Sequence, residues 1–135
     1  SVVIHAGTMN SSCPMIAAAL ATIQVLERDN PYQRMFALGR RLMTGLRDAA
    51  RQYDQNLLVS GPGPMFNTCF TDLEKMQDYR DTLKTDKPKL GRFIAAMHDR
   101  NVRVIGRGLW YISAVHTEEE IEDTIQVARE VLAGL

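Results

Sequence analysis

The chain has 135 residues, 45% hydrophobic and 24% charged, with 16 basic and 16 acidic side chains. That is one domain's worth of globular sequence, long enough to bury a core. Zero net charge argues against a nucleic-acid or membrane-surface module, which needs a basic face, and no apolar run reaches the ~18 residues of a membrane span.

Residues 1–13 read as a short β-prone segment, Ser1-Val-Val-Ile-His, running into a polar loop, Gly7-Thr-Met-Asn-Ser-Ser-Cys. Pro14 suits the first position of a helix, where a missing N–H costs nothing. Residues 15–26 are apolar almost all round, the pattern of a helix buried on most sides. Asn30-Pro31-Tyr32-Gln33 reads as a second helix start, with Asn30 as cap and Gln33 reaching back. Met35, Leu38, Leu42, Leu46, Ala49 and Tyr53 then recur at steps of three and four, one apolar stripe. Arg34, Arg40, Arg41, Arg47 and Arg51 lie largely off it and read as a solvated face.

Leu57-Leu58-Val59 is a short strand candidate, followed by the turn signal Gly61-Pro62-Gly63-Pro64. Met65 to Thr71 alternates as a strand, with Phe66, Thr68 and Phe70 on one side. Residues 72–88 are polar and read as a loop or a short surface helix. Leu90, Phe93, Ile94 and Met97 give a third helical stripe. Val102–Ile105 reads as a strand that Gly106-Arg107-Gly108 turns, as a hairpin, into a second β-rich run over Leu109–Val115. Thr117-Glu-Glu-Glu120 is a capping box, and Ile121, Ile125, Ala128 and Leu132 form the stripe of the last helix. The acids clustered at its start suit the positive end of the helix dipole.

The expected order is α, α, β, β, α, β, β, α. Helices and strand pairs segregate, which favours an α+β two-layer sandwich: a small antiparallel sheet with helices on one face, preceded by a long helix.

Few residues carry a chemical signal. His5, His98 and His116 lack metal-ligand spacing, so no metal site is expected. Cys13 and Cys69 are too few for a disulfide scaffold, which makes a reducing cytosol the expected setting. Cys69, within a strand, reads as a small core residue. The hydroxyl-rich loop Gly7–Ser12, feeding a helix N-terminus, has the make-up of a phosphate cradle and equally that of an ordinary cap.

His5-Ala-Gly-Thr-Met-Asn, followed by the Pro14 helix with Ala17-Ala-Ala-Leu-Ala-Thr-Ile, resembles the class III, fold-type I aminotransferases, which use pyridoxal phosphate. Within them it is similar to glutamate-1-semialdehyde aminomutase and its relatives. Val59-Ser-Gly-Pro-Gly-Pro-Met-Phe, Phe70-Thr-Asp and Ile112-Ser-Ala-Val-His-Thr-Glu-Glu-Glu-Ile-Glu-Asp-Thr-Ile resemble later landmarks of that family, in the same order.

The resemblance implies a C-terminal portion of a longer cytoplasmic, homodimeric enzyme that moves amino groups from a donor to a carbonyl acceptor. Residues 1–13 would be a cofactor-proximal segment, 14–30 an interdomain helix and 31–135 the small domain. The lysine that bears the cofactor would lie in the absent large domain, leaving the isolated chain inactive and without catalytic residues. Thr8, with Gly7 permitting close approach, matches the position that binds the cofactor phosphate across the dimer interface. Arg107, free to project between two glycines, matches a region bordering the substrate entrance, where an arginine meets a carboxylate. The stretch from Val104 to Ser113 is shorter than the aminomutase's, a departure that counts against aminomutase activity itself. A second reading is a stand-alone α+β domain of the same ancestry that only binds a partner.

Overall fold

The structure, a computed structural model, describes Gly7 and residues 12–135. The chain divides into two compact units, Ser1–Pro31 and Tyr32–Leu135.

In the first unit, helix α1 spans Cys13–Asp29, with Pro14 in its first turn and no side-chain bond from Ser12 at its cap. It ends where Asn30 turns left-handed, at φ 40°, and donates its backbone N–H to Leu26 O. That conformation corrects the expectation for Asn30. A helix N-cap needs an extended backbone, so Asn30 closes α1 instead of opening the next helix. No residue of α1 is buried, and Met15, Ile16, Leu20 and Ile23 are each more than half exposed. The burial expected from its composition is therefore not found among the described residues.

In the second unit, α2 spans Tyr32–Gln52 and buries Leu38, Leu42, Leu46 and Ala49 at the expected helical steps. Strands β1 (Leu57–Ser60), β2 (Met65–Phe70) and β3 (Leu109–Tyr111) form one antiparallel sheet in that order. A 3-10 helix covers Tyr79–Lys84, followed by α3 (Lys87–His98), and α4 (Glu118–Ala133) closes the chain.

Register explains the layering. Leu57 pairs with Phe70, Val59 with Thr68 and Phe66 with Trp110, and all six are buried. Side chains alternate across a strand, so these form one face. Met65, Ser60 and Tyr111, on the other face, are exposed. Helices α2 and α3 pack against the sheet, and α4 packs against both of them. The result is the α+β two-layer arrangement with helices on one face.

Aromatic contacts knit the core. Phe66 stacks on Trp110 at 5.6 Å, and Phe70 meets Phe93 edge-on at 5.8 Å. Each large apolar side chain so buried stabilises the fold by about 1.5–3 kcal/mol. The α2–α4 contact is set by Gly45, where a Cβ would lie 2.5 Å from Ile125 Cδ1. Only a missing side chain lets the two helices approach this closely.

The second unit brings two corrections. Val102–Ile105 is not a strand: only Ile105 makes an isolated bridge, to Leu109. The backbone of Val104 is occupied by the His98 ring, whose Nε2 lies 2.8 Å from Val104 O and 3.2 Å from Val104 N. A side chain has taken the ladder partner's place. The arginine face of α2 is not simply solvated either. Arg34 donates to Ala114 O and His116 O, Arg41 pairs with Glu122 at 2.6 Å, and Arg47 donates to Val59 O at 2.8 Å. These guanidiniums tie α2 to β1 and to both sides of the α4 start.

Candidate functional site

Of the expected cofactor pair, Thr8 lies outside the described residues, and Gly7 is an exposed residue outside regular structure. Arg107 is described in full, and its φ is the largest positive value of any described non-glycine residue.

Gly108 donates its N–H to Ile105 O at 2.9 Å, closing a four-residue turn over Ile105–Gly108. Arg107 holds its third position with φ 96°. A positive φ there is the mark of a type II turn, a place that favours glycine. Arginine adopts it at a cost of order 1–3 kcal/mol, so the surroundings must hold it.

They hold it through β2. Asn67 Nδ2 donates to Arg107 O at 2.7 Å. Gly108 O accepts from the Thr68 backbone N–H at 2.8 Å and from the Thr68 hydroxyl at 3.3 Å. That hydroxyl in turn accepts from Trp110 Nε1 at 3.1 Å. Thr68 is fully buried, so its polar atoms need these partners. Gly108, with φ 75°, has no room for a side chain: a Cβ would lie 2.1 Å from Thr68 O. The Arg107 side chain is exposed and has no hydrogen bond or ion pair among the described residues. The arrangement presents a fork of donors suited to a carboxylate. The glycine-flanked arginine was legible in the sequence. The support from Asn67, Thr68 and Trp110 was not, because it joins residues about 40 positions apart.

A second feature is a cleft of about 640 Å³ between the segment after α3 and α4, lined by Arg100, Arg103, Tyr111, His116, Asp123 and Thr124 among others. Arg107 does not line it. At its rim, His116 Nδ1 accepts the Ser113 N–H at 2.9 Å. The capping box is present as expected, with Thr117 N–H donating to Glu120 Oε2 at 2.7 Å and Glu120 N–H donating to the Thr117 hydroxyl at 3.1 Å. Bonds from the Thr117 backbone and hydroxyl hold the Glu120 carboxyl below the usual carboxylate range.

The remaining reactive groups are quiet. Cys69 is buried, and burial pushes its thiol pKa up, away from reactivity. The Lys84 ammonium donates to Asp81 at 2.9 Å, a bond that raises its pKa and opposes nucleophilic use. Lys89 sits 4.8 Å over the Phe70 ring. Among the described residues, no helix is long and apolar enough to cross a membrane.

No family model matches the chain. In sequence it is 29% identical, over 135 residues, to glutamate-1-semialdehyde 2,1-aminomutase of Desulfitobacterium hafniense, a match covering 98% of this chain and 31% of that protein. In structure it superposes on an omega-transaminase from Sphaerobacter thermophilus with a TM-score of 0.83 at 21% identity, covering 96% of this chain and 30% of the other. A glutamate-1-semialdehyde aminomutase from Pseudomonas aeruginosa, in complex with PMP, gives a TM-score of 0.83 at 17% identity over 100% of this chain and 31% of that one. At such identities the structural likeness speaks for the fold. The chain spans less than a third of the length of these relatives, a share consistent with the C-terminal portion of the class III aminotransferases that its sequence resembles.

Proposed function

We propose that this chain is the C-terminal portion of a pyridoxal-phosphate-dependent enzyme that transfers amino groups. What carries the reading is the match to glutamate-1-semialdehyde aminomutase along 98% of the chain, joined to the fold it shares with transaminases. Pyridoxal phosphate supplies the electron sink for amino-group chemistry, and the protein supplies binding and orientation.

In this reading the chain's own residues bind and orient. The Thr8 hydroxyl donates a hydrogen bond to the cofactor phosphate of the neighbouring subunit in a homodimer. Gly7, exposed and without a side chain, lets the phosphate approach the backbone. Arg107 receives a carboxylate of the amino donor or acceptor. Helix α1 lies between domains, where its apolar surface is covered. The cofactor-bearing lysine belongs to the large domain, so the isolated chain is inactive.

The test is cofactor binding by the full-length protein, followed by the visible absorbance of bound pyridoxal phosphate. A hydroxyl bond to a dianion contributes about 1.5–3 kcal/mol. Thr8→Val should therefore weaken binding by roughly one to two orders of magnitude. Unchanged affinity would remove Thr8 from the site, and a full-length protein that binds no pyridoxal phosphate would remove the reading itself.

A further inference from the structure

Arg107 presents a puzzle that the substrate role alone does not answer. It stands between Gly106 and Gly108, either of which gives the chain freedom to relax, yet it keeps φ 96°. The peptide joining Arg107 to Gly108 is gripped at both ends. Its N–H goes to Ile105 O at 2.9 Å, and its C=O receives Asn67 Nδ2 at 2.7 Å. The first bond is the ordinary closure of a hydrogen-bonded β-turn. The second is made by a side chain from the neighbouring strand and is particular to this position.

Asn67 is well placed for this. Its backbone pairs with Leu109 in the β2–β3 ladder, so the strand register fixes where its side chain begins. It is half-buried. The next residue, Thr68, holds the following carbonyl, Gly108 O, through its N–H at 2.8 Å. Two successive carbonyls of the turn are thus bound by two successive residues of β2.

We propose that Asn67 is a positioning residue for Arg107, its amide holding the strained left-handed turn that presents the guanidinium to a substrate carboxylate. The inference rests on the reading of Arg107 given above. It implies that loss of the Asn67 amide lets the turn relax into a conformation with negative φ at Arg107. The guanidinium then keeps its charge and loses its aim.

The experiment uses the full-length protein with two amino donors, one bearing a carboxylate and a matched amine without one. Asn67→Leu removes the donor at similar volume. KM for the carboxylate donor should rise roughly fivefold, the scale of one hydrogen bond, with kcat and the kinetics on the simple amine unchanged. Arg107→Ala runs in parallel and should erase the preference for the carboxylate donor. If Arg107→Ala leaves that preference intact, the substrate role of Arg107 is wrong. If Arg107→Ala erases it and Asn67→Leu does not touch it, Arg107 keeps its role and the positioning by Asn67 is overturned.

A thermal measurement separates positioning from plain stability. Arg107→Gly places at the strained position the residue that prefers it, so Tm should rise. Asn67→Leu should then lower Tm more in the Arg107→Gly background than in the parent, where relief of the backbone strain offsets part of the lost bond. An equal drop in both backgrounds would make Asn67 an ordinary structural side chain and overturn the proposal.

Discussion

Helices α1 and α4 are nearly the same length, 17 and 16 residues, and are built on opposite plans. α4 opens with a reciprocal capping box and three glutamates in its first turn, and buries Ile121, Ile125, Ala128, Val131 and Leu132. α1 has no side-chain cap bond, no acid in its first turn and no buried residue. Its alanines supply intrinsic helix propensity, whereas α4 is held by its packed face. The difference teaches that α4 finds its packing partners within its own unit, whereas α1 buries none of its residues.

The largest test of that contrast is Ile125→Ala, which opens a cavity beside Gly45 and should cost about 2–5 kcal/mol. Urea unfolding, followed by the fluorescence of Trp110, the chain's single tryptophan, reads the loss. A cost under about 1 kcal/mol would mean that α4 is not held by its buried face.

A smaller effect is expected at the cap. Thr117→Ala removes the hydroxyl of the box and should cost about 1 kcal/mol. Its pH dependence has a definite sign. The folded-state pKa of Glu120 is depressed, so its contribution is complete above the ordinary carboxylate range and is lost as pH falls through the lowered value. The Thr117→Ala penalty, measured by urea unfolding across an acid series, should shrink along that descent. A penalty constant with pH would assign it to something other than the box.

The smallest effect belongs to α1. Ile23→Ala removes an apolar side chain that is 52% exposed and should shift the same transition by less than about 0.5 kcal/mol. A loss matching that of Ile125→Ala would erase the contrast between the two helices.

Much of the second unit was legible because its signals are local. The box at Thr117, the stripe along α2 and the alternation of Phe66, Thr68 and Phe70 each need only a few consecutive residues, and each is present as expected. The differences arise where more than one partner or conformation competes for the same group. Val102–Ile105 has the composition of a strand, but the ring of His98 occupies the backbone of Val104. Asn30 has the chemistry of a cap at either end of a helix, and its left-handed backbone decides between them. The arginines of α2 look solvated until the α4 start folds back to offer Ala114 O and His116 O to Arg34. At the candidate site the same rule holds. Arg107 could be picked out from its flanking glycines, whereas Asn67 carries no mark until β2 and β3 are set side by side.

The placement of the two cysteines has a practical consequence. Cys13 is exposed in the first turn of α1, whereas Cys69 is shut into β2 with its thiol held in the protonated form. A water-soluble maleimide would tag the first at once and the second only during openings of the sheet. One labelling time course would thus report two processes in one chain, because the fast phase senses what shields α1 and the slow phase counts excursions of the core.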